Sequence, residues 1–138
     1  MGRRGLSHVL LDTHAWAWSL TGDARLSPNA VQAIEDAETV AISAISLYEI
    51  GQKVRLGKWR EMEPHMLKLA DFAVQQGGHL LPVSPKASLA AAALDWAHRD
   101  PFDRFIAATA LVDGLTLVSA DAVFDQLKAF DNWPGRVW

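Results

Sequence analysis

The sequence predicts an α/β fold, a three-layer α/β/α sandwich around a central parallel sheet of four to five strands. Short apolar runs of strand length alternate with stretches of helical periodicity along the chain. Strands joined through helices pair in parallel and lie buried on both faces, which fits runs that are almost continuously apolar. The size fits as well. The chain has 138 residues, half of them hydrophobic and about a fifth charged, enough for one domain with a single sizeable core. No internal repeat, low-complexity segment or linker interrupts residues 1–138, which are read as one domain.

Leu6 to Leu11 reads as a short buried strand ending at Asp12. An apolar, Trp-rich helix follows over about Ala15 to Leu20. Trp16 and Trp18 read as packing residues, with stacking on a ligand as the alternative. Thr21-Gly-Asp turns the chain. Ser27-Pro28 is an N-cap followed by proline at the first helical position, opening a helix to about Ala37. Thr39 to Ser43 is a second strand, and the helix after it carries Glu49 and runs to about Leu56, with Gly57 as its stop. Pro64 to Gln76 is amphipathic, with Met66, Leu67, Leu69, Ala70 and Ala73 on or near one face, and Gly77-Gly78 ends it. His79 to Val83 is a third strand. Ser84-Pro85 repeats the cap signature and opens an Ala-rich helix to about His98. Asp100-Pro-Phe-Asp103 begins a helix in which Ile106, Ala107, Ala110 and Leu111 recur at helical spacing, with Gly114 as its C-cap. Leu115 to Ser119 is a fourth strand, followed by Asp121 and a short helix to about Lys128. Trp133 to Trp138 adds an edge strand.

The positions of the acids are the informative feature. In an open parallel sheet the functional crevice lies beyond the carboxyl ends of the strands. Asp12 ends the first strand and Asp121 follows the fourth. Glu49 sits about two turns into the helix that leaves the second strand. Asp103 opens the helix that leads into the fourth. One crevice can hold all four. Carboxylates gathered this way repel one another, and without compensation the fold loses stability. A hard divalent cation compensates, and carboxylate oxygens suit Mg²⁺ or Mn²⁺. Such an ion lowers the pKa of a bound water and stabilises charge on a phosphoryl oxygen. The expected chemistry is therefore phosphodiester hydrolysis by metal-activated water, with no covalent nucleophile.

Several neighbours have two readings. Asp100, one helical turn before Asp103, either shares the site or caps the helix. Thr13 is a possible addition to the site. Ser46 lies three residues before Glu49 on the same helical face, as a site residue or as half of a capping box. Ser119 either hydrogen-bonds behind the metal or simply finishes a strand. His14 and His98, near Asp12 and Asp100, read as hydrogen-bonded structural residues, with metal ligation as the alternative. Lys53, Arg55, Lys58 and Arg60 are a solvated helix end or a rim that contacts phosphates.

Composition excludes several classes. Without cysteine there are no disulfides, thiolate zinc sites or cysteine nucleophiles. No apolar run approaches the length of a bilayer span, and the apolar stretch after Arg3 and Arg4 is too short for a signal sequence, so a cytoplasmic protein is expected. The net charge of −3 argues against a broad electrostatic grip on nucleic acid but leaves room for a local basic rim.

Four stretches, Leu10-Leu-Asp-Thr-His-Ala-Trp16, Ser43-Ala-Ile-Ser-Leu-Tyr-Glu-Ile50, Asp100-Pro-Phe-Asp-Arg-Phe-Ile-Ala-Ala-Thr-Ala110 and Leu117-Val-Ser-Ala-Asp121, resemble in order and spacing the acidic motifs of PIN domains. The likeness is closest to the VapC-type toxins of toxin–antitoxin pairs and covers nearly the whole chain. It implies a PIN-like α/β/α sandwich and a Mg²⁺- or Mn²⁺-dependent endoribonuclease. It also implies a homodimer, an RNA substrate and inhibition by a small antitoxin protein. Matched residue by residue, the family's acids fall on Asp12, Glu49, Asp103 and Asp121, with Asp12, Asp103 and Asp121 as the metal ligands. Its third acid precedes the Ile-Ala-Ala run by three residues, which selects Asp103 over Asp100. The competing readings are a PIN fold kept for protein binding without nuclease activity and a receiver-type signalling domain. The latter wants paired acids at the end of the first strand, where this chain has Asp12 followed by Thr13. A dehalogenase-type phosphatase wants Asp-x-Asp there, and His14 holds the second position.

Overall fold

The computed structural model describes residues 7–138, so Leu6, expected to open the first strand, lies outside the described residues. Five parallel strands form one sheet in the order β3-β2-β1-β4-β5. They are β1 (His8–Leu11), β2 (Thr39–Ser43), β3 (His79–Leu81), β4 (Thr116–Val118) and β5 (Arg136–Val137). The order grows outward from β1 in both directions, so the sheet has its switch point beside β1, where a crevice opens at the carboxyl edge.

The pleat sends successive side chains of β1 to opposite faces. Val9 and Leu11 join one core with Trp16, Ala30, Ile42, Ile50 and Val118, while Leu10 joins the other with Ala41, Ile106, Leu117 and Phe124. Helices α1 (Thr13–Thr21), α2 (Pro28–Asp36) and α4 (Leu69–Gln75) cover the first face. Helix α6 (Pro101–Asp113) and a 3-10 segment (Ala122–Ala129) cover the second, with α5 (Pro85–Ala93) packed on α6. Helix α3 (Ala44–Arg55) leaves β2 and sends Ile50 to the first core and Ile45 to the second. The expected sandwich is present. Ser27 and Ser84 cap α2 and α5 as their Ser-Pro pairs predict, accepting from Ala30 N and Ala87 N at 3.0 Å each. Gly114, with φ +67°, ends α6 in the left-handed conformation that glycine adopts without strain.

Two helices differ from expectation. The stretch expected as one helix over Pro64 to Gln76 is a 3-10 segment, Arg60–Lys68, that passes into α4 at Leu69. A 3-10 turn takes three residues, so apolar spacing written for an α-helix does not keep to one face through it. Leu69 and Ala73 are buried, but Leu67 is 99% exposed. The Ala-rich helix expected to reach His98 ends at Ala93. Propensity favours continuation, but Arg104 of α6 overrides it. Its guanidinium donates to the carbonyls of Ala91 (3.1 Å), Leu94 (2.6 Å), Trp96 (2.7 Å) and His98 (2.9 Å). Arg104 thus takes up carbonyls at the end of α5 and folds the chain from Leu94 to His98 against the start of α6. Arg104→Met keeps the aliphatic stem and removes every donor. It is expected to lower unfolding free energy by about 2–4 kcal/mol in urea titration, because several part-buried carbonyls lose their partner at once.

Candidate active site

Asp12 is the joint between β1 and α1. Its backbone is still extended (φ −73°, ψ 175°), its N–H donates to Val118 O of β4 at 3.1 Å, and its Oδ1 caps α1 by accepting from Ala15 N at 2.8 Å. A helix therefore begins two residues earlier than expected, with the site acid itself as the cap. Burial raises the Asp12 pKa from 3.8 to about 6. The Ser119 hydroxyl and the Ala15 amide pull it back part of the way, and the charges of Asp103 and Glu49 add smaller upward pushes. Desolvation, more than mutual repulsion, is thus what makes this carboxylate costly to ionise.

Glu49 is 5% exposed on the inner face of α3. Thr13 Oγ1 donates to its Oε1 at 2.6 Å, and Lys53, one turn on, donates from Nζ to its Oε2 at 2.6 Å. Thr13 Oγ1 also meets Ser46 Oγ at 2.8 Å. A hydroxyl has one proton; Thr13 gives its own to Glu49, so Ser46 donates to Thr13. The capping-box reading of Ser46 is corrected here. Ser43 caps α3, accepting from Ile45 N at 3.1 Å, and Ser46 lies inside the helix, fully buried against Thr13.

On the opposite wall, Asp100 caps α6, its Oδ1 accepting from Phe102 N (2.8 Å) and Asp103 N (3.3 Å). Asp103 Oδ2 bonds to His98 Nε2 at 2.6 Å. The Asp103 pKa is raised, first by burial, while the hydrogen bond from His98 opposes that rise. The sequence sets His98 near Asp100, but its hydrogen bond is to Asp103, across a five-residue separation that no helical pattern marks. His98, Asp100 and Asp103 each offer a ligand atom within 4.8 Å of the others. Asp121 caps the 3-10 segment after β4, accepting from Val123 N at 3.0 Å, and its own N–H donates to the buried Ser119 Oγ at 3.0 Å.

Asp12, Glu49, Asp103 and Asp121 border one cavity of about 150 Å³, with Thr13, His14, Lys53 and Asp100 around it. Five carboxylates thus face one ammonium, that of Lys53. His14 stacks on Trp59 at the mouth (centroids 4.6 Å apart, planes at 24°), and burial against that wall, aided by the charge of Lys53, lowers its pKa. Of the four basic residues singled out in the sequence, Lys53 is drawn into the cavity by Glu49. Arg55, Lys58 and Arg60 are exposed beyond it, on the end of α3 and the turn after it. Trp16 is fully buried, its indole N–H donating to Gln76 Oε1 at 3.2 Å, and Trp59 is also buried. A larger groove of about 510 Å³ lies away from this cavity, between α1 and α2, lined by Trp18, Leu26, Val31 and Ile34.

The pattern of the PIN domain matches residues 9–129. Ribonuclease VapC22 of Mycobacterium tuberculosis is 33% identical over 117 residues, which cover 84% of this chain and 88% of that protein. The crystal structure of VapBC2 from Rickettsia felis, bound to a DNA fragment from their promoter, is similar in fold. Its TM-score is 0.64 at 20% identity, covering 94% of this chain and 98% of that one. A toxin–antitoxin complex from Klebsiella pneumoniae is similar with a TM-score of 0.57 at 18% identity, covering 90% and 93%.

The raised pKa of Asp12 gives a stability test. Between 3.8 and about 6 the folded chain binds more protons at Asp12 than the unfolded chain does. Stability of the metal-free protein therefore falls as pH rises through that window, by up to about 3 kcal/mol, and levels off above it. Asn is as good an N-cap as Asp, so Asp12→Asn removes the ionisation penalty and leaves α1 capped. Metal-free Asp12→Asn is expected to unfold at a higher temperature than wild type at pH 7.5 and to show a flatter pH profile between 4 and 6 in calorimetry.

Proposed function

The chain belongs to the PIN domain family, and from that premise we propose that it is a divalent-metal-dependent endoribonuclease, the toxin of a pair held inactive by a partner antitoxin. The observation that carries the reading is the convergence of Asp12, Glu49, Asp103 and Asp121 on one small cavity at the carboxyl edge of a parallel sheet. A relative over most of the chain is a ribonuclease by name.

The donor set fits a hard cation. Asp100 and Asp103 bring ligand oxygens within 4.8 Å of each other and of a His98 nitrogen, and Asp12 and Asp121 border the same cavity with further carboxylates, the first a buried acid held above its ordinary pKa that a bound cation would relieve. When bound, Mg²⁺ or Mn²⁺ supplies Lewis acidity at the phosphate and lowers the pKa of the attacking water. The rest falls to the chain's own side chains. Glu49, held on one oxygen by Thr13 and on the other by Lys53, is fixed in orientation and accepts a hydrogen bond from the attacking water. His98 holds Asp103 in place through its hydrogen bond. In the reaction the water oxygen forms a bond to phosphorus and gives up one proton to solvent, one bridging P–O bond breaks, and the departing ribose oxygen takes up a proton in its place.

RNA approaches past Arg55, Lys58 and Arg60, whose local charge attracts phosphates although the chain is net acidic. A homodimer would set two such pockets side by side. The antitoxin is read as an apolar helix laid along the Trp18 groove of α1 and α2, with an Arg or Lys reaching the carboxylates. No helix among the described residues is long and apolar enough to cross a membrane.

Two measurements test this reading. Purified wild type with Mn²⁺ is expected to cleave single-stranded RNA, and excess EDTA or Asp12→Asn is expected to lower the rate by roughly a hundredfold or more. Undiminished cleavage in either case refutes the metal mechanism, while a folded wild type that cleaves nothing favours a protein-binding role. In the Asp12→Asn background, replacing Arg55, Lys58 and Arg60 together by Ala is expected to reduce the salt slope of RNA binding by about one for each phosphate no longer neutralised. An unchanged slope removes the rim.

A further inference from the structure

We propose that Tyr48 and Phe102 form a stacking platform for an unpaired nucleobase of the RNA, beside the acidic cavity. This rests on the nuclease reading of that cavity and adds a subsite to it. Successive residues on a helix point about 100° apart. Glu49 turns inward from α3, and Tyr48, the residue before it, lies on the flank with 59% of its surface exposed. The same arrangement recurs on α6, where Asp103 borders the cavity and Phe102 precedes it. The two rings meet between the helices, centroids 6.0 Å apart and planes at 47°. Each ring is thus one residue from an acid of the cavity.

The other aromatic side chains nearby are occupied. Trp59 is buried beneath His14, and Trp16 is fully buried. Among the described residues Tyr48 is the one aromatic of Phe, Trp or Tyr type that is exposed rather than buried or half-buried. Phe102 is its half-buried, tilted neighbour. The surroundings favour a nucleic-acid strand over an apolar partner. Gln52 and Arg55 follow Tyr48 at i+4 and i+7, on the same stripe of α3, so the ring is succeeded by an amide and then by an exposed guanidinium about 10 Å along the axis. A ring next to a cation suits a base and a phosphate of one strand, and every base has a face to stack, so the platform binds without strict sequence preference.

The test uses a short single-stranded oligoribonucleotide carrying 2-aminopurine, whose fluorescence reports stacking, bound to the full chain in the Asp12→Asn background. The Tyr48-containing protein is expected to quench the probe. Adding Tyr48→Ala is expected to abolish the quenching and weaken binding about tenfold, and adding Tyr48→Phe to preserve both, since the ring and not the hydroxyl stacks. Equal binding and quenching with Tyr48→Ala overturns the platform, as does Tyr48→Phe behaving like Tyr48→Ala, or no quenching with Tyr48 present. Sedimentation of the same proteins runs alongside. If Tyr48→Ala weakens binding only by splitting a dimer, the ring belongs to a subunit interface and the proposal fails. Wild type that leaves RNA intact with Mn²⁺ but still shows Tyr48-dependent quenching overturns the hydrolytic reading and leaves the platform standing.

Discussion

The structure turns on a carboxylate, that of Asp12, placed where a buried strand becomes a helix. β1 is flanked on both sides by parallel strands, so its carboxyl end has no solvated edge, and any charge there is costly. The chain uses the group locally to cap α1, and the same carboxylate borders the cavity that the other acids share. Most of the upward pressure on its pKa comes from this burial and less from neighbouring charges. In the nuclease reading a bound cation would offset this cost, which comes from the buried end of the strand more than from the number of acids.

Around that point each wall of the cavity has its own fixing device. On the α3 side a short relay, Ser46 to Thr13 to Glu49, with Lys53 on the second oxygen, ties α1 to α3 and removes rotational freedom from a buried acid. On the α6 side the fixing is indirect. Arg104 pins the chain between Leu94 and His98 by its carbonyls, and His98 in turn holds Asp103. Thr13 and Lys53 line the cavity themselves, whereas Ser46, His98 and Arg104 stand outside it and fix the orientation of side chains that do.

The electrostatic picture is similarly divided. Acids concentrate in one cavity of about 150 Å³, while Arg55, Lys58 and Arg60 stand outside it on the end of α3 and the following turn. The separation keeps positive charge on one edge of a net-negative chain and negative charge in the cavity beside it. The groove at Trp18 is joined to the acidic cavity through His14, whose ring lies 5.6 Å from that of Trp18.

Much of this was legible in the sequence because the signals are local. The buried runs Val9 to Leu11 and Thr39 to Ser43, the Ser-Pro caps of α2 and α5, the left-handed stop at Gly114 and the placing of acids just past strand ends all depend on residues a few positions apart. What only the tertiary structure decided involves partners far apart in the chain or off any helical repeat. Thr13 meets Ser46 across 33 residues, which converts an apparent cap into part of the Glu49 relay. Arg104 reaches back 13 residues to Ala91 and ends a helix that alanine propensity would extend. Capping rules alone do not separate Asp100 from Asp103, since both are acids at the start of one helix. They differ in the fold because the first turn of α6 needs an acceptor for its free N–H groups, which Asp100 supplies, whereas His98, folded back by Arg104, engages Asp103. Hydrophobic periodicity and capping act within a turn or two and can be read in order, whereas a hydrogen bond between distant elements exists only once packing has brought them together.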